Sequence, residues 1–114
     1  MELFVYGTLR RGGSHPAAVK LHQRAEWLRC DACKGELYDF GAYPALTLPG
    51  TTWVHGDVFC LDDAEFAWLD AYEGQEYGRQ NCLLFSGLRA QVYVYLAPLP
   101  PTARWIENGR WPSC

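Results

Sequence analysis

Residues 3–13 read LFVYGTLRRGG, and the fold turns on them. Leu3, Phe4, Val5 and Tyr6 make an apolar β-strand that halts at Gly7. A loop of Thr8, Leu9, Arg10, Arg11 and Gly12-Gly13 follows. A strand ending in a glycine-bearing turn leaves successive backbone N–H groups without ladder partners. Such groups cradle an anion or a developing oxyanion. Gly7 also permits a positive φ and a close backbone approach.

Outward from this loop, Ser14 reads as an N-cap and Pro16 as an early residue of a helix. Ala17, Ala18, Leu21 and Ala25 form the helix's apolar stripe. Trp27 to Cys33 and Gly35 to Phe40 alternate as strands, with Gly41 a turn or bulge. Tyr43 to Leu48 continues extended, and Pro49-Gly50 signals a turn. Val54 to Leu61 alternates as a half-buried strand. Asp62-Asp63 opens a second helix that Gly74 closes. Tyr77 to Phe85 and Ala90 to Leu96 form a hairpin about Ser86-Gly87. Roughly six short strands and two helices, with no repeat or internal linker, give an α+β domain spanning 1–114. The sheet is expected to curl into a small mixed β-barrel.

Composition narrows the function. The chain has 114 residues, nearly half of them hydrophobic, with five Trp, seven Tyr and five Phe to build an aromatic-rich core. A formal net charge of −3 argues against a nucleic-acid partner, since phosphate binding needs clustered positive charge. The opening MELFVYG lacks a basic n-region, and no apolar run approaches membrane-spanning length. The expectation is a cytosolic protein without a membrane partner, whose five cysteines are reduced thiols.

The second helix carries the chemistry. At about 100° per residue, Phe66, Leu69 and Glu73 share one stripe. Asp70 flanks it. A carboxylate set among core residues is expensive unless something needs it. Desolvation and the negative end of the helix dipole both raise its pKa, which suits a general base near neutral pH. An outward-fraying Glu73 is the competing reading, and Glu76 is then the alternative carboxylate. Asp70 reads as structural, bonding backbone or steadying Arg79, and Arg10 reads as a solvated surface arginine ahead of one that meets a substrate carboxylate.

Other motifs lead elsewhere and stop. Gly7 to Gly12 has phosphate-loop glycine spacing, but Gly13 stands where that motif requires Lys. Cys30-Asp31-Ala32-Cys33 is a lone pair of cysteines without a second pair to complete a zinc site. Cys60 and Cys82 are isolated, and His15, His22 and His55 show no ligand-like pairing.

Taken together, FVYGTLRRG at 4–12, GELYDFGAYPAL at 35–46, HGDVFCL at 55–61 and LDAYEGQEYGRQ at 69–80 resemble the γ-glutamylcyclotransferase-like superfamily. The resemblance is closest to its short bacterial members of unassigned substrate. It implies a compact mixed barrel, with the glutamyl group of a small-molecule γ-glutamyl substrate on the Tyr6-Gly7-Thr8-Leu9 loop. Glu73 is then the acid/base, and a late tyrosine closes the pocket: Tyr95, with Tyr93 as its rival. It implies cyclisation to 5-oxoproline without metal or cofactor. Only Gln75 and Glu76 separate Gly74 from Tyr77, where longer members carry an insertion. The alternative is a binding module on the same fold that holds a small anion or glutamyl ligand without turnover.

Overall fold

The computed structural model describes residues 1–111. Six strands form one sheet: β1 (Glu2–Val5), β2 (Glu26–Asp39), β3 (Pro44–Cys60), β4 (Tyr77–Leu83), β5 (Arg89–Tyr95) and β6 (Arg104–Trp105). Helix α1 (Pro16–Arg24) follows β1, and α2 (Phe66–Glu73) follows a 3-10 turn at Asp63–Glu65. The strand order is β4-β5-β1-β3-β2-β6. β1 runs parallel to β5 and antiparallel to β3, so the sheet is mixed.

Alternation along β1 sorts the core into two layers. Phe4 and Tyr6 point into the curl of the sheet with Leu37, Leu46, Val58 and Val92. Leu3 and Val5 face the helices and meet Leu21, Phe59, Phe66 and Leu69. The apolar stripes of α1 and α2 are thus consumed by the outer face of the sheet, which fixes the roll of α2 about its own axis.

The sheet curls until its far strands meet. Phe85 N–H donates to the Ala32 carbonyl at 2.8 Å, and the Ser86 N–H and hydroxyl both donate to Asp31. Cys33 and Cys82 are joined there as a disulfide, with Cα atoms 6.9 Å apart. The expectation of free thiols therefore fails at these two positions. Curling of the sheet makes neighbours of residues 49 apart in sequence, which local spacing cannot reveal. Cys30 and Cys60 are free.

Three local readings also change. The four segments between Trp27 and Leu61 are two long strands, β2 and β3, which bend at irregularities instead of ending. Pro49-Gly50 belongs to β3, inside the irregularity opposite Gly35 and Glu36, and is not a hairpin turn. The N-cap of α1 is His15, whose Nδ1 accepts from Ala17 N–H at 3.0 Å, and not Ser14. An imidazole nitrogen here fills the role that the rule reserves for a short oxygen side chain.

Candidate active site

A cavity of about 510 Å³ opens between the end of β1, the C-terminal turn of α2 and the loop before β3. This falls in the range of small-molecule sites. The Tyr6-Gly7-Thr8-Leu9 loop lines one side and Glu73 and Tyr77 another, with Tyr43 and Pro44 facing them. The opening loop and the second helix, distant in sequence, therefore share one chamber.

The loop's geometry follows from its neighbours. Arg10 N–H closes a turn on the Gly7 carbonyl at 3.1 Å, and Gly13 N–H closes the next on Arg10 at 3.0 Å. Among the described residues, no hydrogen bond takes up the N–H groups of Gly7, Thr8 or Leu9. Gly7 does not use a positive φ. Its role is close approach: a Cβ there would lie 2.5 Å from Pro44 Cγ. Tyr6 contributes its ring to the wall. Its hydroxyl donates to the Tyr93 carbonyl at 2.7 Å and accepts from Leu46 N–H at 3.3 Å. Burial, and then the Glu73 charge, hold the Tyr6 phenol well above its ordinary pKa.

Phe66 and Leu69 are buried against the sheet, and this carries Glu73 inward on the same stripe. Gly74, at φ 87°, ends the helix there. Burial raises the Glu73 carboxyl from 4.5 to about 7, and no described charge or hydrogen bond offsets it. It is neutral in part and anionic in part at physiological pH, the condition a group needs to accept and return a proton. Asp70, one turn earlier, is held by Arg79 at 2.8 and 3.2 Å and by the Tyr93 hydroxyl at 2.6 Å. Its charge is thus occupied, as the sequence reading expects.

Tyr93 lines the cavity and Tyr95 does not. The Tyr95 ring packs edge-on against Tyr77 and Phe40 behind the wall, and its hydroxyl stands 3.5 Å from Glu76 and from the Pro98 carbonyl. Glu76 lines the cavity from an exposed position beyond α2. The sequence reading gave no site role to Tyr43, Pro44, Tyr72 or Tyr77 of the cavity wall, and it missed two further residues. His15 joins the cavity wall and stacks edge-on with Tyr72 at 5.7 Å. Asp57 lies buried behind the loop and bonds Arg10, which is therefore not a merely solvated arginine. An acid inside the buried run Gly56-Asp57-Val58 was the signal for it.

Known proteins resemble this chain along nearly its whole length. The family model described as gamma-glutamyl cyclotransferase, AIG2-like, matches residues 3–113. The gamma-glutamylcyclotransferase family protein ytfP of Citrobacter rodentium is 37% identical, over 97% of this chain and 95% of its own. The solution NMR structure of protein ytfP from Escherichia coli is 37% identical and superposes with a TM-score of 0.73, over 98% and 96% of the two chains. An aig2-like protein from Mus musculus shares the fold at a TM-score of 0.73 with 23% identity, over 87% and 79%. The chain belongs to the gamma-glutamyl cyclotransferase, AIG2-like family.

Proposed function

We propose that this protein cyclises a γ-glutamyl amine or peptide to 5-oxoproline, releasing the amine, with Glu73 as general acid/base. The observation that carries this reading is one shared cavity: it is lined by Glu73, a half-buried acid whose pKa burial raises to about 7, and by a loop whose Gly7, Thr8 and Leu9 amides take no hydrogen bond among the described residues.

The substrate supplies its own nucleophile. Its α-amine attacks the side-chain carbonyl, forming the ring C–N bond and moving charge onto the carbonyl oxygen. Glu73 accepts the proton that the α-ammonium must lose. The tetrahedral intermediate collapses by breaking the bond to the departing nitrogen, which takes the proton back from Glu73. The attack leaves two protons on the ring nitrogen, and one of them passes through solvent to the released amine. A neutral lactam and an ammonium leave, so atoms and charge balance without a covalent enzyme intermediate. The Gly7, Thr8 and Leu9 amides supply donors for the oxyanion or the α-carboxylate, and one such donor typically contributes about 3–4 kcal/mol. Folding the glutamyl chain into a near-attack shape contributes more, roughly 7–11 kcal/mol in well-oriented intramolecular reactions. The aromatic wall of Tyr6, Tyr77 and Tyr93 excludes water and presses the chain into that shape.

The test is chemical. The protein is incubated with a panel of γ-glutamyl amines, γ-glutamyl amino acids and γ-glutamyl peptides, and 5-oxoproline is quantified by mass spectrometry. Release from at least one class, lost in Glu73→Gln, supports the reading. No release from any class by the folded parent overturns it in favour of a binding module.

A further inference from the structure

Asp57 is the buried charged residue of the described core, 2% exposed, and it takes no part in the cavity wall. It sits on β3 opposite Val5 of β1 on one side and Cys30 of β2 on the other. Its carboxylate accepts four hydrogen bonds. Arg10 Nε donates at 3.0 Å, Arg11 N–H at 3.0 Å, Trp27 Nε1 at 3.1 Å and Cys30 Sγ at 3.6 Å. The Arg11 guanidinium then stacks on the Trp27 ring at 3.7 Å, drawing the loop and β2 into the same knot.

Burial alone would raise the Asp57 pKa, but the bonds from Arg10, Trp27 and Arg11 outweigh it and hold the carboxyl below its ordinary range. Asp57 is therefore a persistent anion. Keeping one in a core is unfavourable compared with an apolar side chain, unless its directional bonds fix something. What they fix is the rear of the opening loop. Gly7, Gly12 and Gly13 give that segment wide conformational freedom, and freedom is what an amide cradle has to lose before it binds. Two of the four bonds land on Arg10 and Arg11, directly after the three amides that take no hydrogen bond among the described residues. The Leu9 carbonyl, 2.9 Å from His22 Nε2, is tied from the same side.

We propose that Asp57 is the positioning residue of the active-site loop. From behind the cavity it pins Arg10 and Arg11, and so holds the Gly7, Thr8 and Leu9 amides ready for the anionic group of the ligand. That this ligand is a γ-glutamyl compound rests on the function proposed above; the pinning does not.

The experiment compares the parent with Asp57→Asn and with Arg10→Met, which cuts one bond and leaves the Trp27 and Arg11 bonds intact. Backbone amide exchange is followed by NMR, and 5-oxoproline is the binding probe. Losing a charge-assisted bond is expected to speed exchange at the Arg10 and Gly13 amides about tenfold, with Phe4 and Val92 unchanged. Affinity for 5-oxoproline falls by a similar factor, and KM for any turned-over substrate rises while the pH limb of the rate stays in place. Should Asp57→Asn fail to fold, Arg10→Met gives the same signature more weakly. Unchanged loop exchange and affinity overturn the proposal. So does exchange that speeds up equally at every amide, which marks a merely structural acid. A parent that binds no 5-oxoproline and cyclises nothing counts against the cyclotransferase reading, while loop exchange still decides the role of Asp57.

Discussion

Gly7 and Pro44 touch so closely that a methyl group on Gly7 would lie 2.5 Å from Pro44 Cγ and 2.9 Å from Cδ. The contact joins the opening loop to the start of β3 in the cavity wall, and Tyr77, also in that wall, donates to the Pro44 carbonyl at 3.1 Å. Gly7→Ala is expected to destabilise the protein by about 1–3 kcal/mol through overpacking, and to abolish ligand binding by pushing the loop inward. Pro44→Ala in the same chain should recover part of the melting temperature. An unchanged melting temperature in Gly7→Ala would show that the loop yields freely.

Glu73 makes stability depend on pH in a defined direction. Burial raises its folded-state pKa from 4.5 to about 7, so the folded chain holds this proton to a higher pH than the unfolded chain does. The resulting stability is fully present below about pH 4.5 and is lost as pH climbs through about 7. Glu73→Gln removes that loss. At pH 8 the variant should be the more stable, by on the order of 3 kcal/mol, and the gap should close at pH 4. Urea unfolding at the two pH values measures it. A gap independent of pH contradicts the buried-acid description.

The two late tyrosines separate cleanly. Tyr93 lines the cavity and donates to Asp70 at 2.6 Å, bracing α2 against β5. The Tyr95 hydroxyl has only contacts of 3.5 Å, at the limit of a hydrogen bond. Tyr93→Phe is expected to lower kcat/KM by up to about tenfold, the value of one good hydrogen bond, whereas Tyr95→Phe should stay within about twofold. The reverse order would return the pocket-closing role to Tyr95.

The Cys33–Cys82 link ties β2 to β4 where the curled sheet meets itself, closing a loop of 49 residues. Cross-links of this kind typically contribute about 2–4 kcal/mol. Reductant should therefore lower the parent's melting temperature and leave a Cys33→Ala/Cys82→Ala variant untouched. Equal sensitivity of both proteins to reductant, or of neither, argues against the link.

What the sequence revealed was what local periodicity can encode. Phe66, Leu69 and Glu73 share a stripe because helical geometry requires it, and the buried stripe carried Glu73 into the cavity. The Ser86-Gly87 hairpin and the Gly74 helix stop were legible for the same reason. Apart from the His15 cap of α1, the hidden features depend on long-range registry. β2 and β3 run through Gly35 and Pro49-Gly50 because sheet pairing on both flanks overrides local turn chemistry. Cys33 meets Cys82 only after the sheet has curled, and Asp57 meets Arg10 only through the register of β1 on β3. The Gly7-Pro44 contact likewise gives that glycine a steric reason that a turn rule does not supply.

The most direct test is the pH dependence of kcat/KM for the best γ-glutamyl substrate, with parent and Glu73→Gln compared. The parent rate is expected to rise through about pH 7, and the variant to lose at least about 100-fold and show no titration there. A Glu73→Gln enzyme that keeps the parent's rate and pH profile would contradict the assignment of Glu73 and shift attention to Glu76.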